Sequence, residues 1–154
     1  DVIDLRQREG VDYACNNMPV AWPHGLDCEV FSYDLLEKSL TEEKRPWARG
    51  HVSVWMRENE SVTRASLPGP GGDIVSQRWT IDYQEDMEFI RSLMEKFPAG
   101  DKLLQYAEIE AIISRYPELL TINEKYAEDL RNTEEQPEHE KIHNFHKSNS
   151  LTAC

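Results

Sequence analysis

The sequence has no apolar run close to the roughly 20 residues that a membrane-spanning helix needs, and its N-terminus lacks the basic-then-apolar order of a signal peptide. Its three cysteines form no Cys-x-x-Cys pair and leave one unmatched, which argues against a disulfide framework. Basic side chains are also few, 17 against 29 acidic ones, so a formal net charge of -12 opposes binding to nucleic acid and to anionic membranes. These absences predict a soluble, cytoplasmic protein whose partners are neither nucleic acid nor membrane.

The chain does contain enough apolar material for one domain. It has 154 residues, of which 39% are hydrophobic, so it can bury a core. From residue 132 onward it is polar and poor in aliphatic side chains, so burial there cannot offset the entropy lost on ordering. We therefore expect a domain over residues 1–131 and a polar, disordered tail over 132–154. His139, His143 and His146 in that tail have a helical spacing that could bind a transition metal, but no further ligand pattern completes a site and a solvated tail is favoured.

Alternating and β-branched stretches predict three strands, near residues 12–16, 26–32 and 74–82. Helical spacing of apolar residues predicts helices around and after them: 1–9 ended by Gly10, one capped by Ser32 or Asp34, 47–57, one that begins after residue 82, and a C-terminal helical segment from about 103 to 131. Residues 58–73 lack periodicity and predict a flexible connection. Cys15 and Cys28 are expected to be buried strand residues. The fold class predicted is α/β.

Residues 78–89 organise the rest of the chain, because an apolar, β-branched stretch there leads to Asp82 and a helical pattern follows directly. Ligands of open α/β sheets bind at the carboxyl ends of the strands, so a carboxylate at this point is placed to hold a cation beside a phosphate. The alternative is that Asp82 caps the following helix, since Asp82-x-x-Glu85 fits a capping box. Local sequence alone favours the cap.

Asp27 and Glu29 lie on one face of the second predicted strand, beside a turn in which Gly25 can take a positive φ. Two carboxylates in this position indicate either a cleft for a polar ligand or an ordinary solvated strand face, and the sequence does not decide between them. His51 is the one histidine inside a structured pattern, and a packed or capping role is favoured over a catalytic one.

Four stretches in fixed order carry a family resemblance: Asp12-Tyr13 with Asn16, Pro23-His24-Gly25-Leu26-Asp27-Cys28-Glu29-Val30-Phe31-Ser32, His51-Val52, and Arg78-Trp79-Thr80-Ile81-Asp82 with Glu85-Asp86. Together they resemble the C-terminal half of the spore coat polysaccharide biosynthesis protein F family. This family is related to the acylneuraminate and 3-deoxy-manno-octulosonate cytidylyltransferases, and the resemblance covers about residues 1–125.

The resemblance implies a Rossmann-like nucleotide-diphospho-sugar transferase (GT-A-like) fold. It also implies an enzyme that uses CTP and Mg2+ to activate a sugar acid as its CMP derivative, releasing pyrophosphate, for surface polysaccharide biosynthesis. On this basis Asp82 is the expected metal ligand, and a homodimer is among the expected assemblies. The residues expected to bind substrate are Gly25, Asp27, Glu29 and Arg78.

The sequence departs from the family pattern in three respects. Tyr83-Gln84 stand where the family usually has Thr-Pro, and Gly50 stands where it usually has Glu before His-Val. The family's N-terminal nucleotide loop and first metal aspartate are absent, and the chain begins without Met or a leading strand, so we expect a piece of a longer protein that is inactive alone. The alternative function is a non-catalytic sugar-binding or dimerisation module related to the same family.

Overall fold

The computed structural model describes residues 1–97 and 104–127. These residues form two compact units. The first unit comprises residues 1–22 and 27–71, and the second comprises residues 23–26, 72–97 and 104–127. The predicted tail, 132–154, with its three histidines, lies outside the described residues.

A three-stranded sheet lies at the centre of the first unit, in the order β2-β1-β3. Strand β1 (Tyr13–Cys15) pairs antiparallel with β2 (Glu29–Phe31) and parallel with β3 (Arg64–Ser66). All three residues of β1 are buried, as expected for the middle strand, whereas the residues of β2 and β3 are half-buried. The fold of the chain is thus mixed α/β, with a small sheet.

Four helices belong to the first unit: α1 (Val2–Glu9), α2 (Tyr33–Glu42), α3 (Pro46–Arg49) and α4 (Val54–Glu58). The sequence signals at their ends act as predicted. Gly10 ends α1 with a positive φ of 64°, and the Ser32 hydroxyl begins α2 by accepting a hydrogen bond from the Leu35 amide at 3.1 Å. The single helix predicted over 47–57 is wrong, because α3 ends at Arg49 and α4 begins only at Val54.

Apolar side chains of the strands and helices form the core of the first unit. Tyr13, Cys15, Trp55 and Met56 pack together, and the Tyr13 ring stacks on Phe31 with centroids 6.2 Å apart. The burial of Cys15 confirms its prediction. Cys28 is exposed, so its predicted burial is wrong. The reason is that β2 begins one residue later, at Glu29.

The second unit is helical. It contains α5 (Gln84–Met94), α6 (Tyr106–Arg115) and three 3₁₀ helices, Gly72–Ser76, Pro117–Ile122 and Glu124–Tyr126. Its core consists of apolar side chains from these elements and the segment between them: Ile74, Trp79, Phe89, Leu93, Ile113 and Leu119. Helix α5 confirms the helix predicted after residue 82, and its buried face includes Phe89 and Leu93.

The third predicted strand, residues 74–82, is wrong. Residues 72–76 form a 3₁₀ helix, and the rest of the stretch makes only an isolated bridge between His24 and Arg78. Side chains satisfy the backbone there, since Asn123 donates to the Arg78 carbonyl and Asp86 accepts from the Asp82 amide. The third strand of the sheet, β3, instead lies in the stretch 58–73, which was predicted to be a flexible connection.

Candidate functional site

A buried ion pair holds the segment that ends at Asp82. The Arg78 Nε donates to the two carboxylate oxygens of Asp86 at 3.0 and 3.2 Å, and Arg78 Nη2 donates to Asp86 Oδ2 at 2.9 Å. The side chains of Arg78 and Asp86 are 4% and 0% exposed. Both ions are removed from water, so the pair is stable only because its remaining polar atoms are also hydrogen-bonded. The hydrogen bond to Asp86 raises the pKa of Arg78, more than its burial lowers it.

Four residues donate hydrogen bonds to Asp86. Besides Arg78, the backbone amides of Asp82 and Tyr83 donate to its Oδ2 at 3.0 and 3.1 Å, and Asn123 Nδ2 donates to its Oδ1 at 2.8 Å. Burial by itself would raise the pKa of the Asp86 carboxyl, but these hydrogen bonds outweigh it and hold the pKa well below its usual range. Asp86 is therefore a charged group that fixes the backbone of the two residues just before α5.

Asp82 does not cap α5. The N-cap of α5 is Tyr83, and the carboxylate that accepts from the first amides is that of Asp86. Asp82 Oδ2 accepts instead from Arg78 Nη2 at 2.6 Å and from the Thr80 hydroxyl at 3.1 Å. The capping alternative for Asp82 is thus wrong, because the N-cap lies one residue later, at Tyr83, whose backbone amide bonds to Asp86. Its side chain is 59% exposed.

The geometry of Asp82 would allow it to supply one carboxylate ligand to a magnesium ion. Its Oδ2 is engaged, whereas its Oδ1 accepts no hydrogen bond from the described residues. Mg2+ retains several waters and is bound by one or two carboxylates together with substrate phosphates, so a single exposed carboxylate oxygen is a suitable ligand. Within residues 1–97 and 104–127, no group of three or more acidic, histidine or cysteine side chains could enclose a metal by itself.

Gly25 lies against the backbone of the same segment. It has a φ of 107°, in a region that side-chain-bearing residues rarely adopt, and a Cβ at this position would lie 2.7 Å from the Trp79 carbonyl and 2.8 Å from the Thr80 amide nitrogen. The neighbouring His24 and Trp79 are joined by a backbone hydrogen bond of 2.7 Å. Glycine is required here for both reasons.

We expect Gly25→Ala to destabilise the second unit by about 2 kcal/mol or more, because the new Cβ meets rigid backbone in a strained conformation. Urea unfolding followed through the amide signals of α5 measures the change. Gly72→Ala is the matched control, since Gly72 belongs to the same unit and also has a positive φ of 68°, but no atom lies within 4 Å of its added Cβ. Equal losses in the two variants would show that the close approach at Gly25 has no energetic weight.

The other two predicted substrate residues lie in the first unit. Glu29 Oε1 accepts from the buried Tyr13 hydroxyl at 2.6 Å and from the Ser53 hydroxyl at 3.0 Å, and Arg57 lies 3.7 Å away. Burial, followed by the hydrogen bond to Glu29, raises the pKa of the Tyr13 phenol far above its usual range. Glu29 is thus a half-buried carboxylate with fixed partners, not a solvated one.

Asp27 is exposed. Its Oδ1 accepts from Asn17 Nδ2 at 3.0 Å. His51 is also exposed, and its ring lies 6.5 Å from that of Trp47. Of the predicted site residues, the structure brings Arg78 and Asp82 into direct contact and places Gly25 against the segment that joins them, while Asp27 and Glu29 belong to the first unit.

Sequence reasoning missed two residues of this site, Asp86 and Asn123. Asp86 had a usable signal, because an acidic residue at the third position of a predicted helix commonly accepts from the N-cap amide. Asn123 had none, since it is 37 positions from Asp86 and reaches it only through the fold.

Comparisons with known proteins agree with the general family expected. The chain resembles the solved structure of a cytidylyltransferase from Leptospira borgpetersenii serovar Hardjo-bovis (strain JB197), with a TM-score of 0.69 and 25% sequence identity over 77% of this chain. The match covers 50% of the Leptospira protein, so this chain spans about half the length of that enzyme. No protein-family model and no curated protein matches the sequence. In the part of the chain that the structure describes, none of the helices is both long and apolar enough to span a membrane.

Proposed function

We propose that this chain is the C-terminal portion of a cytidylyltransferase of the spore coat polysaccharide biosynthesis protein F type, with a GT-A-like, Rossmann-like fold in the complete protein. The reaction proposed is the activation of a sugar acid by CTP, giving a CMP-sugar and pyrophosphate for surface polysaccharide biosynthesis. The likeness to the Leptospira enzyme supports the class of protein. The observation that carries the proposal is the exposed carboxylate of Asp82, which Arg78 holds at Oδ2 and which does not cap α5.

Asp82 is the proposed ligand for Mg2+ in this reaction. When bound, the ion would offset the charge of the triphosphate and of the leaving pyrophosphate. The chain's own part is to present Asp82 Oδ1 toward solvent while Arg78 and Thr80 hold Oδ2. Such prior orientation removes the cost of ordering the ligand when substrate binds.

The four residues expected to bind substrate have two different roles in the proposal. Gly25, Asp27 and Glu29 are proposed to bind the sugar acid, with the Asp27 and Glu29 carboxylates as acceptors for sugar hydroxyls. Arg78 was expected to contact the substrate directly. Its guanidinium is buried and bonded to two carboxylates, so in the proposal it acts on the reaction through Asp82.

The remaining features of the proposal follow from this reaction. CTP-dependent activation suits a cytoplasmic enzyme, and a homodimer is the assembly proposed. Residues 1–131 would belong to the catalytic domain and 132–154 to a polar tail.

Pyrophosphate release from CTP, with Mg2+ and a panel of sugar acids, tests this function. We expect the complete protein that contains this chain to release pyrophosphate with at least one sugar acid. The 154-residue chain alone is expected to release none above background, because the described residues contribute one metal carboxylate and the net charge of -12 repels a free triphosphate. Turnover by the chain alone would contradict the claim that it is a portion of the catalytic unit.

The same assay distinguishes the enzyme from the second candidate function, a non-catalytic sugar-binding or dimerisation module. The observation in its favour is that Asp82 is engaged by Arg78 in the described structure. A complete protein that binds a sugar acid but releases no pyrophosphate with any acceptor would support the module.

A further inference from the structure

Residues near the end of the described chain contact the segment that presents Asp82. We call residues 78–83 the Asp82 turn, and we call Asn123, Lys125 and Tyr126 the clamp. The clamp follows the 3₁₀ helix Pro117–Ile122. Asn123 and Tyr126 contact the Asp82 turn itself, and Lys125 pairs with Glu85 in the first turn of α5. None of its members belongs to the motifs that the sequence analysis singled out.

Asn123 joins the start of the turn to Asp86 in α5. Its Nδ2 donates to the Arg78 carbonyl at 3.0 Å and to Asp86 Oδ1 at 2.8 Å. Asp86 in turn accepts from the Asp82 amide, so one buried amide group, 2% exposed, connects the first residue of the turn to the carboxylate that fixes the backbone of Asp82. Buried polar networks of this kind are rigid when every member is bonded.

Tyr126 fixes the end of the turn. Its ring stacks on that of Tyr83, with centroids 3.8 Å apart and planes 6° from parallel, and the Arg78 guanidinium lies 5.2 Å from the Tyr83 ring centre. The Tyr126 hydroxyl donates to Glu85 Oε2 at 3.2 Å, and Lys125 pairs with the other oxygen of Glu85. Stacking and the ion pair therefore hold Tyr83 and the first turn of α5 against residues 124–126.

We propose that the clamp positions the Asp82 carboxylate for a divalent cation, with Asn123 and Tyr126 as positioning residues. This inference rests on the proposed function, since it assigns a role toward the cation that Asp82 would bind. Without the clamp the backbone of Asp82 gains freedom, and its carboxylate loses the fixed direction that makes a single ligand effective. Neither residue touches the cation.

The test uses the 154-residue chain, Mn2+ as the cation probe and four variants: Asn123→Ala, Tyr126→Ala, Tyr126→Phe and Asp82→Asn. The first readout is hydrogen exchange at the amides of Asp82 and Tyr83. We expect exchange about fivefold faster in Asn123→Ala and Tyr126→Ala, the factor that corresponds to one lost hydrogen bond or ring contact. Tyr126→Phe keeps the stacked ring and should behave as the unaltered chain. Tyr33→Ala, which removes an exposed tyrosine of the first unit, is the control.

The second readout is paramagnetic broadening by Mn2+ at residues 80–83. We expect local broadening in the unaltered chain, its loss in Asp82→Asn, and about tenfold weaker Mn2+ affinity in Asn123→Ala and Tyr126→Ala, with affinity restored in Tyr126→Phe. Faster exchange with unchanged Mn2+ affinity would overturn the positioning role and leave the metal role of Asp82 intact. Unchanged exchange in both alanine variants would overturn the clamp itself. Broadening that persists in Asp82→Asn, or that is absent from the unaltered chain, would refute the proposed metal ligand and the positioning role with it.

Discussion

Replacing Asp86 with alanine lowers the free energy of unfolding of the second unit by about 3–5 kcal/mol, the cost expected when one partner of a buried ion pair is removed. The variant leaves the Arg78 guanidinium charged and buried, and it removes the acceptor of the Asp82 and Tyr83 amides and of Asn123. Urea unfolding, followed through the amide signals of α5 and α6, measures the loss. Glu88→Ala on the same helix is the matched control, because Glu88 is exposed and the change should cost less than about 0.5 kcal/mol.

The acid dependence of stability gives an independent check on Asp86. Its pKa is lowered in the folded chain, so its contribution is fully present above the unfolded pKa of about 3.9 and is lost as the pH falls toward the lower folded value. We therefore expect the free energy of unfolding of the second unit to decrease below about pH 4, and to decrease less steeply in Asp86→Asn. A variant as stable as the unaltered chain, with the same acid dependence, would show that the buried pair contributes nothing.

Replacing Asp82 with asparagine in the complete enzyme lowers kcat for pyrophosphate release by about 100-fold or more, since metal stabilisation of the phosphoryl charge is worth several kcal/mol. Stability should change little, by about 1 kcal/mol or less, because the Arg78–Asp82 contact ends on an exposed carboxylate. This combination of a large rate effect with a small stability effect distinguishes a ligand from a structural residue.

The matched control for Asp82 is Asp73→Asn, which removes an exposed carboxylate from the same unit. It should leave both kcat and stability unchanged. If Asp82→Asn also leaves kcat unchanged, Asp82 holds no catalytic metal, and the fold interpretation stands without it.

The parts of the fold that the sequence predicted correctly depend on local chemistry. Gly10 ends α1 because glycine readily takes a positive φ, and Ser32 begins α2 because its side-chain oxygen accepts a hydrogen bond. Apolar spacing was enough to predict α5. The stretch 74–82 depends on distant partners. Its β-branched residues favour a strand, yet Ile74 is buried in the second-unit core as part of a 3₁₀ helix, and Asn123 bonds to the backbone carbonyl of Arg78.

The candidate site also contains residues that the sequence predicted and residues that it did not. Asp82 and Gly25 were predicted from motifs, and the structure gives each a physical account, an exposed oriented carboxylate and a backbone contact that admits no side chain. Asp86 and Asn123 were not predicted as site residues, although their side chains bond to the backbone on either side of Asp82. The place of Asp86 at the third position of α5 is a local signal for its bond to the N-cap amide. Its pairing with Arg78 and its contact with Asn123, 37 positions away, leave no such pattern in a single sequence.

The fate of the phosphorus atoms of CTP tests the central claim most directly. The complete protein is incubated with Mg2+, a sugar acid acceptor and CTP labelled at either the α- or the γ-phosphorus. A cytidylyltransferase breaks the bond between the α-phosphorus and the β-phosphate, so the α-label is predicted in a CMP-sugar and the γ-label in pyrophosphate. Transfer of the γ-label to the sugar acid, or no CMP-sugar with any acceptor, would contradict the account.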